Sequence, residues 1–492
     1  MEWQTFRSSW ESGRVIPVWR TYLADTLTPV SAFLRIREGA RSAFLLESVE
    51  GGERVGRWSF LGRDPYLILR GYPEGCEWLT EEGRRWSETD FFEALRAEVL
   101  SLKPIEVSEL PPFSGGAVGY VAYDAVRLIE RLPDRHGGNE PIGEFHFFGT
   151  VVAFDHLRHR IHIITNVFVD KERGSPEKAF RDAQRRLDRM ETLLRKEVQV
   201  FPFSRRSGKV QPEGNMTKEQ FCNAVIKAKE YIRAGDIFQI VLSQRFRLPV
   251  TADPFTVYRA LRATNPSPYL YYLESTDRDG EDLAILGSSP ETLVKVTGRT
   301  VCVRPIAGTR RRGRSEEEDK LLEQELLSDE KELAEHRMLV DLGRHDVGRV
   351  SKYGTVRWPQ YMVIERYSHV MHIVSQVEGE LRDECDAIDA LTAGFPAGTV
   401  TGAPKIRAME LIDELEPEKR WIYAGAVGYL DFHGNLDTAI AIRTLVLRAG
   451  QAWIQAGAGI VADSVPEREY METVHKAQAI FSAIEQAEAG LT

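Results

Sequence analysis

The chain has 492 residues, 42% hydrophobic and 28% charged, with a formal net charge of −10. That length exceeds what one hydrophobic core usually supports, so at least two lobes are expected, and the acidic balance argues against nucleic acid as a partner. No apolar run reaches the roughly 20 residues that span a bilayer, and the opening Met1-Glu2-Trp3-Gln4-Thr5-Phe6 has no basic segment leading an apolar core, which points to a cytoplasmic protein without a membrane partner.

In chain order, the first clear alternation is a strand at 161–168, expected to pair with 150–154 across a short polar turn. A charged helical stretch follows at 176–197. The next residues mix Pro202, Ser204, Gly208, Pro212 and Gly214 without a hydrophobic period, and read as an exposed linker. An amphipathic helix at 218–234 opens the next part. The division is therefore a domain at 1–200, a linker at 201–217 and a domain at 218–492.

Within that second domain, short strands are expected at 283–286, 292–296 and 300–304, the last two joined at Gly298. Further strands fall at 426–431, 436–448 and 452–456, joined at His433-Gly434-Asn435 and at Gly450. Short connections between successive strands require antiparallel pairing. The architecture is α+β, antiparallel and helix-flanked, not a Rossmann sheet. Cys76, Cys222, Cys302 and Cys385 lie far apart without a CxxC pair and read as reduced thiols.

Two helices carry spaced carboxylates. Ser315–Glu318 forms an S-x-x-E start, a second start lies at Ser328-Asp329, and Glu332 and Glu335 then share a helix face. Ser464–Glu467 repeats the start, followed by Glu469 and Glu472. Each pair reads either as a solvated face, with Lys476 as an ordinary partner for Glu472, or as half of a hard-cation site.

Gly457-Ala458-Gly459-Ile460-Val461-Ala462 matches G-x-G-x-x-A, but too little chain follows for a dinucleotide-binding unit. It is a tight turn or a place where backbone N–H groups meet an anion. The segment 394–405, GFPAGTVTGAPK, lacks the P-loop ending, yet its glycines and prolines dictate a rigid path. His369 and His372 lie in an alternating run and read as structural or catalytic. Glu291, after Ser288-Ser289-Pro290, reads as a strand-edge carboxylate or a general acid.

Together these segments resemble the chorismate-utilising enzymes, most closely the anthranilate synthase component I family, over nearly the whole chain. The matching segments are DIFQIVLSQR at 236–245, SSPE at 288–291, RPIAGTR at 304–310, EHRMLVDLGRHDVGR at 335–349, FPAGTVTGAPK at 395–405, GAVGY at 425–429 and QAGAGIVADSVPEREYMETVHK at 455–476. The resemblance implies large antiparallel sheets packed as a sandwich with flanking helices. It implies Mg²⁺ held by Glu335 and Glu472, with Glu332 and Glu469 in support. It also implies chorismate contacts from Gly308, Thr309, Tyr423, Arg443, Gly457, Ala458, Gly459 and Lys476. Glu291 matches the general acid for the departing ring hydroxyl, and His372 a histidine tied to pyruvate loss.

Two positions separate the members of that superfamily. Gln239 stands where isochorismate and salicylate synthases carry a water-activating lysine, so ammonia is the expected nucleophile. Ala307 stands where aminodeoxychorismate synthase, the alternative reading, typically has a lysine that attacks the ring. In the first domain Leu45-Leu46-Glu47-Ser48 resembles the motif that, with Pro268, Tyr269 and Leu270, forms a tryptophan feedback pocket. His345 replaces the family's usual asparagine, which bears on local turn geometry or subunit contacts. No cysteine lies in a G-x-C-x-G nucleophile motif, so a separate glutamine amidotransferase subunit is expected to supply ammonia, in a heterotetramer with two of each subunit.

Overall fold

The structure, a computed structural model, describes residues 1–11, 14–48, 56–171, 174–198, 209–366 and 370–491. The hairpin expected from alternation is present: Thr150–Asp155 pairs antiparallel with Arg160–Phe168, with Thr150 opposite Thr165. Hairpins and meanders of this kind build two antiparallel sheets, each of twelve strands among the described residues.

One sheet begins with Val15–Leu23, Arg160–Phe168, Thr150–Asp155, Trp58–Arg63 and Ala43–Glu47, then continues through Tyr269–Thr276, Asp282–Ser289, Thr444–Arg448, Gln451–Ile460 and Gln239–Pro249. The other joins Gly116–Val121 to Ala426–Asp431 in the same way. The sequence segments 1–200 and 218–492 thus share both sheets, with one seam in each. Residues 201–208 of the expected linker lie outside the described residues, and Glu213–Gly214 adds a two-residue strand beside Gln239–Pro249.

The sheets stack face to face, as the sandwich reading anticipates. Tyr120, Val427 and Ala439 of one meet Tyr271, Ile285 and Val446 of the other. Phe44, Phe60, Phe113 and Phe148 fill a second block of that interface. Fully burying side chains of this size contributes about 1.5–3 kcal/mol each. Helices cover the outer faces: Pro466–Glu488 lies on Gln451–Ile460, and Glu330–Gly348 on Val370–Glu380 and Ile306–Arg311. No described helix is long and apolar enough to cross a membrane.

A buried polar network crosses the sandwich. Arg70 holds the Glu144 carboxylate and the Thr276 carbonyl, and His146 lies 2.6 Å from Glu144 Oε1 and 2.9 Å from Ser42 Oγ. Its serine, histidine and carboxylate imitate a hydrolytic triad, but Ser42 is only 3% exposed, so the network joins strands instead of meeting substrate.

Two local expectations are corrected. The run 436–448 is two strands, Leu436–Ile440 and Thr444–Arg448, in different sheets. Ser464–Glu467 is not a capping box: Val465 is the N-cap and Pro466 opens the helix, because proline's fixed φ suits the first turn. The Ser464 hydroxyl instead accepts the Val461 N–H at 3.1 Å.

Candidate active site

The chain changes sheets at Pro290-Glu291, between Asp282–Ser289 and Thr292–Thr297, and changes back at 441–443. The two crossings lie side by side. Ser289 Oγ donates to the Ile440 carbonyl at 2.7 Å, the Ile440 N–H to the Glu291 carbonyl at 3.0 Å, and the Ser288 N–H to the Arg443 carbonyl at 3.2 Å. Arg443 takes a left-handed φ of 50°, uncommon for a side chain of its size, and this breaks the run that alternation reads as one strand. Its Nη1 reaches Asn265 Oδ1 at 3.5 Å.

These crossings border a cavity of about 840 Å³ lined by Pro268, Pro290, His372, Arg443, Glu472 and Lys476, among others. Beside Lys476, Gln451–Ile460 runs antiparallel to Gln239–Pro249, with Gly459 opposite Val241. A Cβ on Gly457 would lie 2.6 Å from the Tyr423 hydroxyl oxygen, and one on Gly459 would lie 2.9 Å from Gln239 Nε2. Those contacts, not dinucleotide chemistry, account for the glycines. Ala458 points the other way, into the core beneath the helices. Burial pushes the Tyr423 phenol up to about 12. Lys476 Nζ donates to the Gly457 carbonyl at 3.0 Å and pairs with Glu472 Oε1 at 2.7 Å.

Of the two carboxylate-bearing helices, Pro466–Glu488 lines this cavity, and Glu335 on the other feels the charge of Glu472. Asp329 caps the first, accepting the Lys331 and Glu332 N–H groups at 3.1 and 3.2 Å. Burial raises the Glu335 carboxyl, and the negative charges of Glu332 and Glu472 raise it further, while a Gln239 hydrogen bond opposes. Glu469 is likewise raised, first by burial and then by Glu472, against Ser464, Lys476 and Lys331. Glu332 packs against Gly308, which takes φ 70° at a bulge between Ala307 and Thr309, and lies 3.7 Å from Arg310 Nη1. His372 Nδ1 sits 3.1 Å from both the Gly308 carbonyl and Thr309 Oγ1. His369 lies outside the described residues.

Among the described residues, no group of three or more His, Cys, Asp or Glu side chains is close enough to hold a metal ion. What the described carboxylates offer is pairs, Glu332 with Glu335 on one helix and Glu469 with Glu472 on the other. That suits a hard cation such as Mg²⁺, which takes one or two carboxylates and fills its remaining positions with water and ligand oxygens. By residue type, Glu335 and Glu472, with Glu332 and Glu469, could serve as such donors.

Burial pushes the Glu291 carboxyl up to about 8, while Thr399 and the Lys476 ammonium hold it back. Thr399 belongs to the glycine- and proline-rich loop, which is anchored at both sides. The Phe238 N–H donates to the Ala403 carbonyl at 2.7 Å, and Lys405 Nζ meets Asp346 at 3.0 Å. The loop thereby ties the Gln239 strand to the Glu335 helix. Residues 344–346 are helical, not a turn, and His345 points to solvent.

The residues marked for an effector also meet, at the seam between Ala43–Glu47 and Tyr269–Thr276, where Glu47 stands opposite Leu270. The Glu47 carboxylate accepts the Tyr258 hydroxyl at 2.7 Å and Arg262 Nε and Nη2 at 2.9 and 3.2 Å. Ser48 Oγ is buried with no hydrogen-bond partner among the described residues. Tyr269 donates to Asp437 at 2.9 Å, and Leu270 is core. Pro268 connects this seam to the large cavity. Asn265 and Thr399 carry no catalytic motif of their own; only their neighbours, a proline pair and a glycine loop, mark them in the sequence.

Residues 41–482 match the chorismate binding enzyme family. The chain is 49% identical to anthranilate synthase component 1 of Acetivibrio thermocellus, covering 96% of each chain, and 48% identical to that of Aquifex aeolicus, covering 97% and 96%. The solved structure of anthranilate synthase component I from Streptococcus pneumoniae TIGR4 superposes with a TM-score of 0.77 at 39% identity, over 94% of this chain and 99% of that one. The menaquinone-specific isochorismate synthase of Escherichia coli shares the fold at 18% identity, with a TM-score of 0.70 over 98% of each chain.

Proposed function

The chain belongs to the chorismate binding enzyme family, and on that premise we propose that it is a lyase making anthranilate from chorismate and ammonia. The observation that carries the reading is that the Glu335 carboxyl, half-buried, feels the negative charge of Glu472 on a distant helix as well as that of Glu332 on its own. Arg443, Lys476, Tyr423 and the N–H groups of Gly457, Ala458 and Gly459 hold the carboxylates of chorismate, for which the arginine offers a planar fork of donors. Glu335 and Glu472 would hold Mg²⁺, which supplies an electrostatic clamp on the ring carboxylate.

Glu291, protonated at neutral pH, delivers its proton to the departing ring hydroxyl. Gln239 has no basic nitrogen to activate water, and Ala307 has no nucleophile, so free ammonia attacks the ring and yields aminodeoxyisochorismate. His372, fixed through Nδ1 against Gly308 and Thr309, serves the later elimination of pyruvate. A glutamine amidotransferase subunit supplies the ammonia, in a heterotetramer. The reaction is the first committed step toward tryptophan, which inhibits it by binding at Glu47, Ser48, Pro268, Tyr269 and Leu270.

The test is incubation with chorismate, Mg²⁺ and ammonium, followed by fluorescence and mass analysis of products. Anthranilate with equimolar pyruvate is expected. Accumulated 4-amino-4-deoxychorismate would overturn the reading in favour of aminodeoxychorismate synthase.

A further inference from the structure

Glu291 lines a second cavity, separate from the large one, together with Thr399, Arg304 and Asp346. Its volume is about 40 Å³. A water molecule needs only about 10–15 Å³ of such space, so the cavity has room for water. Two buried polar atoms, Thr399 Oγ1 and Arg304 Nε, belong to residues of its wall and have no hydrogen-bond partner among the described residues. Thr399 lies beside the Glu291 carboxyl without a well-formed hydrogen bond to it, and Arg304 is fixed through Nη2 to Glu365.

Leaving such groups unmatched is costly, and bound water is the usual remedy. A donor, a hydroxyl that both gives and accepts, and a carboxyl make up the two to four partners that a buried water takes. The cavity is not sealed, because Leu342, Ala397 and Gly398 at its edge are half-exposed.

We propose that this cavity is a water site through which Glu291 regains the proton it spends in each turnover. The inference rests on the reading of Glu291 as the general acid. As the ring C–N bond forms and the C–O bond breaks, the hydroxyl leaves as water with the proton of Glu291, and the attacking nitrogen, now an ammonium, releases one proton to solvent. Glu291 is left as a carboxylate and needs one proton back. Substrate held between Arg443 and Lys476 covers the Pro290 side, so the return runs through the water bound by Thr399 and Arg304.

A high-resolution crystal structure of the full chain is expected to show ordered water within hydrogen-bonding distance of Thr399 Oγ1 and Arg304 Nε. Thr399→Val is expected to lower kcat about tenfold, leave the chorismate KM unchanged and raise the solvent deuterium isotope effect on kcat, with Thr399→Ser restoring all three. A dry cavity overturns the proposal, as does a Thr399→Val enzyme with wild-type kcat and isotope effect. Full turnover by Glu291→Gln overturns the acid assignment itself, by removing the proton that needs returning.

Discussion

A buried carboxylate, Glu47, sits at the seam and a half-buried one, Glu335, at the cleft, under opposite conditions. At the seam every Glu47 oxygen is met, by Tyr258 and by both arms of Arg262, and the residue braces two strands. At the cleft the Glu335 carboxyl is raised first by burial and then by the charges of Glu332 and Glu472, with Gln239 in partial compensation. The first arrangement lowers the energy of the folded chain. The second raises it, and persists because the surrounding sheets and helices fix it in place, as functional sites commonly require. Charge satisfaction therefore separates framework from chemistry here better than burial does.

The contrast can be broken at either region. The largest effect is expected at the cleft, where Glu335→Gln or Glu472→Gln should cut anthranilate formation about 10³-fold. Thermal unfolding of the same proteins should show a midpoint equal to or above wild type, since a like charge has gone. A lowered midpoint would place these carboxylates with the framework.

Next in size is pH. The folded Glu291 keeps its proton up to about pH 8, so kcat/KM for chorismate should be level below that value. Above it the acid form is lost and the rate should fall about tenfold per pH unit. A profile still level at pH 9 would remove Glu291 from the acid's role.

At the seam the order of effects reverses. Glu47→Ala strands the Tyr258 hydroxyl and the Arg262 charge, and should cost about 2–3 kcal/mol in urea unfolding, with kcat in the absence of tryptophan within about twofold of wild type. The smallest change is Ser48→Ala, expected to shift stability by no more than about 0.5 kcal/mol. Of the two motif residues Ser48 has bonding capacity to offer, so its loss should raise the tryptophan concentration for half-inhibition about fivefold. An unchanged inhibition curve would move the effector elsewhere.

Much of this was legible from residue spacing, because spacing encodes local geometry. Glu332 and Glu335 had to share a helix face, and the hairpins at Gly298 and Gly450 had to be antiparallel. What spacing could not carry was the change of sheet. Apolar alternation runs through 436–448 without a break, since both sheets bury both faces of their strands; only the left-handed Arg443 reveals the crossing. Nor could it show that Glu335 feels the charge of Glu472, which depends on packing between distant segments. The Ser464 cap failed for a local reason, the proline two residues on.

The seams carry a consequence for how such a chain can be inherited or engineered. A piece beginning at residue 218 would leave Tyr269–Thr276 and Ala426–Asp431 without their neighbours Ala43–Glu47 and Gly116–Val121, two raw edges inviting other chains to pair. The proposed effector motif is built into the same sheets as the proposed catalytic residues. The region can be altered residue by residue but not excised, because its removal would strip neighbours from both sheets.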